Sequence, residues 1–170
     1  MITKNWKNYI QCAMFLGAAY GYLPMTHVNG STFYISGAAS INNGTFATSA
    51  TGVGISVGTG NTAATENDAN LEATITTGLS GTVTVVRSVE SDNPVCKYRI
   101  VLSNSTAADI VVKEVGYKAN IKGVSSQGGT SSSSDRTVLL DRTVLLSPLT
   151  VPAGGNAVLD YTLKTTYSNS

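Results

Sequence analysis

The sequence predicts a mainly β protein, an antiparallel two-sheet sandwich of jelly-roll or immunoglobulin-like type, preceded by a short N-terminal helix or arm. Three observations predict it. Apolar residues recur with period two in segment after segment. Gly, Pro, Asn and Asp clusters punctuate those segments about every 8–12 residues, the spacing of a sandwich of around eight short strands. Helical spacing appears clearly only near the N-terminus.

There, Lys4 and Lys7 precede the apolar run Tyr9 to Ala19, which has the outline of a secretory signal. Gln11 interrupts the run, and it is too short to cross a bilayer. Trp6, Tyr9, Ile10, Ala13 and Leu16 instead fall near one helical face. Residues 1–24 are therefore expected to be a helical segment or arm that stays on the chain, and residues 25–170 a single sandwich domain. Trp6, Tyr9 and Phe15 are its candidate interface anchors, because buried aromatics dominate subunit contacts.

Thr32 to Ser36 is rich in aromatic and β-branched residues and reads as the first strand. The glycine-rich stretch that follows, residues 51–79, has the look of a phosphate loop without its chemistry. No Lys or Arg lies between Ser49 and Ser80, and Gly52, Gly54, Gly58 and Gly60 miss the dinucleotide spacing. Val53, Ile55 and Val57 alternate with Gly54, Ser56 and Gly58, as in a strand with one apolar face and one nearly bare face. Such a bare face, Gly52 to Gly58, invites close contact with another strand or subunit. Gly58-Thr-Gly-Asn61 then turns the chain. Thr65 and Asp68 are spaced as a helix cap and its partner, so Glu66 to Leu71 is expected to form one or two helical turns, with Glu66, Asp68 and Glu72 explained by capping.

Leu71 to Ile75 is expected to enter another strand, and Thr82 to Glu90 to form a Val-rich one. Beyond the turn Ser91 to Pro94, Cys96, Tyr98, Ile100 and Leu102 alternate with Lys97, Arg99 and Val101, which fixes the inward face. Ile110 to Tyr117 continues the pattern after a polar turn, so residues 82–117 read as a three-stranded meander. Residues 125–134, SSQGGTSSSS, form a low-complexity loop or arm. An identical tandem hexapeptide follows, Asp135 to Leu140 and Asp141 to Leu146. Because six is even, both copies are expected to present the same faces of a strand. Arg136 and Arg142, beside Asp135 and Asp141, are candidate ion-pair partners across an interface. Pro148 to Gly155 makes a turn, and Ala157, Leu159, Tyr161 and Leu163 face inward in the last strand.

Composition limits the functions available. Charged residues make up 12% of the chain and the net charge is +1, against about 25% charged in an ordinary domain. The basic residues are scattered, so neither a nucleic-acid footprint nor a membrane surface is expected. His27 stands alone as a loop or interface histidine, and Cys12 and Cys96 read as buried thiols rather than a disulfide framework. A calcium site on Glu66, Asp68 and Asn70 lacks the features of a calcium-binding hand. No paired acid and base stands out, and no enzyme, cofactor or metal is expected.

Five stretches carry a resemblance: Gly58-Thr-Gly-Asn-Thr-Ala-Ala-Thr-Glu66, Asn70-Leu-Glu72, Lys113-Glu-Val-Gly-Tyr117, Leu140-Asp-Arg-Thr-Val-Leu145 and Pro152-Ala-Gly-Gly155. With the Asn5-Trp-Lys-Asn-Tyr9 start, the chain resembles, over most of residues 1–165, small virion-associated proteins encoded by tailed bacteriophages and prophages, many from gut bacteria. The resemblance implies a β-rich structural subunit of capsid, neck or tail, located in the virion, with homo-oligomeric and other virion partners and no catalytic residues. The Asp-Arg-Thr-Val-Leu motif, usually single in that family, is doubled here. An alternative reading is a virion-surface adhesin or carbohydrate-binding module that meets a host-surface glycan with Tyr20, Tyr22, Phe33 or Tyr34.

Overall fold

A computed structural model of the chain describes residues 1–15, 24–40, 45–90, 93–126 and 134–164. Among the described residues one helix, α1 (Lys4–Phe15), precedes eight strands: β1 (Pro24–Thr26), β2 (Thr32–Ser40), β3 (Gly54–Gly58), β4 (Leu79–Glu90), β5 (Asn93–Asn104), β6 (Ile110–Val124), β7 (Ser134–Val151) and β8 (Asn156–Lys164). The strand pairs are antiparallel and fall into two sheets. The larger sheet runs β1-β2-β6-β3 with β7 also on β6, and the smaller runs β4-β5-β8.

β6 organises the larger sheet because it is long enough to take two strands along one edge. β2 pairs with Asn120–Val124 and β3 with Glu114–Lys118, while β7 lines the opposite edge. Alternation then gives β6 two distinct faces. Val115, Tyr117, Ala119 and Ile121 point into the sandwich, where they join Tyr98, Ile100, Leu102, Leu159 and Tyr161 of the smaller sheet in one core. Glu114, Gly116, Lys118 and Asn120 take the other face, which the segment preceding β4 covers: Lys118 Nζ donates to Ala50 O at 2.9 Å, and a Cβ on Gly116 would meet Leu71 at 2.7 Å.

The strand patterns of β5 and β8 hold as expected, with Tyr98, Ile100, Leu102, Leu159 and Tyr161 buried and Lys97, Arg99 and Asp160 exposed. Other expectations fail for tertiary reasons. The meander ends after two strands, since β5 takes β8 on its free edge and the connection over residues 105–109 sends β6 into the other sheet. Leu71 to Ile75 makes only an isolated bridge, Gly58↔Thr74. β7 continues through Pro148 to Val151 before Gly155 N closes a turn on Pro152 O. The loop 125–134 lies largely outside the described residues, which resume at Ser134.

The tandem repeat gives the largest correction. Lys118 pairs with Leu139 and Tyr117 with Asp141, so Leu140 is an extra residue in β7, a bulge without a partner opposite. A one-residue insertion inverts every side chain beyond it. Asp135 therefore sits opposite Lys122 on the outer side, while Asp141 sits opposite Tyr117 on the core side. The N-terminus holds this bulge in place. Thr3 N donates to Leu140 O at 3.0 Å, Arg142 N donates to Met1 O at 3.1 Å, and the Thr3 hydroxyl donates to Leu139 O at 2.7 Å. Residues 1–3 thus occupy the outer edge of β7, and the Asn5 amide exchanges two 2.8 Å hydrogen bonds with the Thr26 backbone on β1.

Candidate functional site

The densest polar constellation centres on Arg142, which the bulge delivers to the outer face of the larger sheet. Its side chain is 3% exposed and meets three carboxylates: Glu114 at 2.7 Å, Asp68 at 2.8 Å and Glu72 at 3.3 Å. Its Nη2 also donates to Thr62 O at 3.2 Å. Glu114, fully buried on β6, spends both carboxylate oxygens: Oε1 accepts from Gly60 N and Ala73 N at 3.1 and 2.9 Å, and Oε2 from Glu72 N at 3.1 Å and Arg142 Nε. A buried charge is tolerable only when its lone pairs are satisfied in this way.

Local chemistry positions the other two acids. The Thr65 amide donates to Asp68 Oδ2 at 3.0 Å and its hydroxyl to Oδ1 at 2.7 Å. The spacing that suggested a helix cap is thus used, but it closes one turn at Glu66–Asn67 and no helix follows. The Thr62 amide and hydroxyl hold Glu72 Oε2 at 3.0 and 2.8 Å. Burial works against ionisation of Asp68, but the bonds from Arg142 and Thr65 outweigh it and hold the carboxyl below its ordinary range. Hydrogen bonds from Thr62 keep Glu72 low as well.

Such a cluster is a brace. Each of the three carboxylates is bound both to the Arg142 guanidinium and to backbone N–H groups. It fastens the 59–73 segment onto β6 and β7. Glycines make the fit possible: a Cβ on Gly58 would fall on Glu114 Oε1 and 2.6 Å from Ala73 O, and one on Gly60 would lie 2.7 Å from Glu114 Oε1. On the opposite face of β7, Asp141 accepts a hydrogen bond from the Tyr161 hydroxyl and lies 3.3 Å from the Met1 amino group. Tyr161 belongs to an aromatic group with Tyr98 and Tyr117, with ring centroids 5.8 and 5.6 Å from Tyr98.

The expected interface residues are distributed as follows. Arg142 is interior, and its ion pairs are with Asp68, Glu72 and Glu114 of its own chain. Arg136 lies opposite Ile121 on the core-facing side, half-buried, and its Nε has no hydrogen-bond partner. Gly52, Gly54 and Gly58 are approached closely, as their bare face suggested, but by Ala47, Thr45 and Glu114 of the same chain. Trp6 and Tyr9 pack against the protein's own core. Phe15 ends α1, and its side chain lies outside the described residues, as do Tyr20 and Tyr22. Phe33, an expected glycan platform, is buried in the core at 2% exposure, while Tyr34 is half-buried. Cys96 is a free, half-buried thiol, and the Cys12 side chain lies outside the described residues. His27 begins the β1–β2 turn, as a loop histidine.

The outer face of the smaller sheet was not expected from the strand pattern. Val101 lies between Thr82 and Val158 on neighbouring strands, Arg99 between Thr84 and Asp160, and Lys97 between Val86 and Thr162. Val86, Val101 and Val158 are 57%, 39% and 51% exposed, and Arg99 and Asp160 form a two-bonded pair at 2.9 and 3.0 Å in the middle row. The signal was present in Val101 and Val158, apolar residues on the polar phase of their strands. Among the described residues, no helix is long and apolar enough to cross a membrane. No family model matches the chain, and comparison with curated proteins and with solved structures returned no match.

Proposed function

We propose that this protein is a structural subunit of a tailed-phage virion, working through contacts with copies of itself and with other virion proteins. The observation that carries the reading is the convergence of its motifs. The stretches Gly58–Glu66, Asn70–Glu72, Lys113–Tyr117 and Leu140–Leu145, which bear the resemblance, all supply atoms to the Arg142 brace or the residues it clamps. Motifs that meet to fasten a loop serve a scaffold, and a scaffold is what a virion subunit needs. The sparsely charged chain and the exposed Val86, Val101 and Val158 on the outer face of the smaller sheet favour protein contact, since interface cores are depleted in charge.

The test is to purify particles from the phage or prophage that encodes the chain and quantify it by mass spectrometry against the major capsid protein. A fixed stoichiometry that survives density-gradient purification is expected. Loss of the protein from intact, gradient-purified particles overturns the proposal.

A further inference from the structure

The smaller sheet leaves a long edge open. β4 pairs with β5 at twelve consecutive positions, Leu79↔Asn104 to Glu90↔Asn93, without a register shift, and no strand takes its other edge among the described residues. Natural edges of this length are ordinarily blunted by Pro, Lys, a bulge or a covering segment. β4 contains no Pro and no Lys, and its two charges, Arg87 and Glu90, sit at its far end. Elsewhere this chain does protect edges, with Met1–Thr3 against β7 and β1 against β2. The opposite edge of the smaller sheet, β8, is shorter, at nine residues, and carries Asp160 and Lys164.

We propose that β4 pairs antiparallel with β4 of a second copy about a two-fold axis at Thr84, joining two three-stranded sheets into one of six strands. This deepens the assembly reading above and rests on it. A two-fold axis perpendicular to the sheet keeps each side chain on its own face, so opposed residues must share a phase of the strand. Centred on Thr84, the outer face sets Thr84 against Thr84, Thr82 against Val86 and Ser80 against Ser88. The inner phase sets Val83 against Val85 and Leu79 against Val89. Arg87 falls opposite Gly81, the one residue of β4 without a side chain, and Glu90 lies beyond the overlap. Hydroxyl and β-branched cross-strand pairs are favourable and no like charges meet. Moving the axis to Val85 sets Arg87 against Val83, and moving it to Arg87 opposes the arginine to itself. Centred on Thr84, the pairing also brings Val86, 57% exposed in the single chain, beside Thr82 of the partner and continues the Thr82–Val101–Val158 row across the boundary.

Sedimentation equilibrium of the full chain tests it. The wild type is expected to be a dimer. Thr84→Lys and Thr84→Glu each place like charges on the axis, and each is expected to raise the dimer Kd at least about tenfold while leaving the circular dichroism spectrum unchanged. Mixing the two variants restores a dimer, because only self-opposition at Thr84 turns a Lys and a Glu into neighbours. Should either charged variant misfold, Thr84→Cys supplies a second route: oxidation yields a covalent dimer whose disulfide joins the two introduced thiols by peptide mapping. A wild type that remains monomeric at roughly 0.1 mM, or a dimer indifferent to both charges and not crosslinked by oxidation of Thr84→Cys, overturns the pairing. Incorporation into particles is read separately, so a monomeric chain still present in virions sinks this contact and leaves the virion role standing.

Discussion

Arg136 and Arg142 hold the same place in two identical hexapeptides and stand on opposite faces of β7, one across from Ile121 and the other beside Glu114. The single extra residue at Leu140 separates their fates. Arg142→Met leaves Glu114 as a fully buried charge without its counter-ion, which costs about 3–5 kcal/mol. Arg136→Met removes a half-buried guanidinium whose Nε has no partner and changes stability by less than about 1 kcal/mol. Urea denaturation of the two variants checks the contrast, and equal effects would contradict the inverted faces.

The bulge depends on Thr3, whose hydroxyl donates to Leu139 O at 2.7 Å and Leu140 O at 3.1 Å from a fully buried position. Thr3→Val keeps the shape and deletes the donor. A loss of about 1–2 kcal/mol is expected, with faster hydrogen exchange at the amides of residues 140–142. Unchanged exchange there would show that β7 holds its irregular register alone.

Gly58→Ala is expected to cost about 1–3 kcal/mol, the range for overpacking a filled site. Its Cβ would meet Glu114 and, at 2.6 Å, Ala73 O, so the carboxylate must move off Arg142 and three backbone amides. Gly30→Ala offers a comparison, since a Cβ there meets nothing within 4 Å and the residue pays only for its φ of +87°. Thermal denaturation of both should rank Gly58→Ala as the more damaging.

Alkaline stability should pass through a maximum. Burial pushes the Lys118 amine down to about 8, with Glu114 partly opposing the shift. The unfolded chain then binds more protons between about pH 8 and its ordinary lysine pKa of about 10.4, and stability rises across that window by on the order of 3 kcal/mol. Tyrosines act in the other direction. Burial pushes Tyr98 up to about 12, and burial together with Asp141 raises Tyr161, so stability they supply below about pH 10 is lost as pH climbs beyond it. Denaturation midpoints between pH 7 and 11 are expected to peak near pH 9–10. In Lys118→Met the rise above pH 8 disappears and the fall remains.

Whatever rests on local periodicity could be read from the residues alone. The β class, the inward faces of β5 and β8 and the close approach to Gly58 were legible, because alternation sets a side chain's face wherever a strand runs without interruption. The Thr65–Asp68 pair was legible too, as chemistry, although it closes a turn where a helix was expected. Long-range pairing is what sends β6 from the meander to the other sheet, inverts the second hexapeptide at a bulge on Leu140, and gathers Asp68, Glu72 and Glu114 around Arg142. Those outcomes depend on which backbone groups pair across long stretches of chain. Identical residues in the two hexapeptides took different environments because the hydrogen bonds of Met1 and Thr3, more than 130 positions away in the chain, bind the irregular ladder between them.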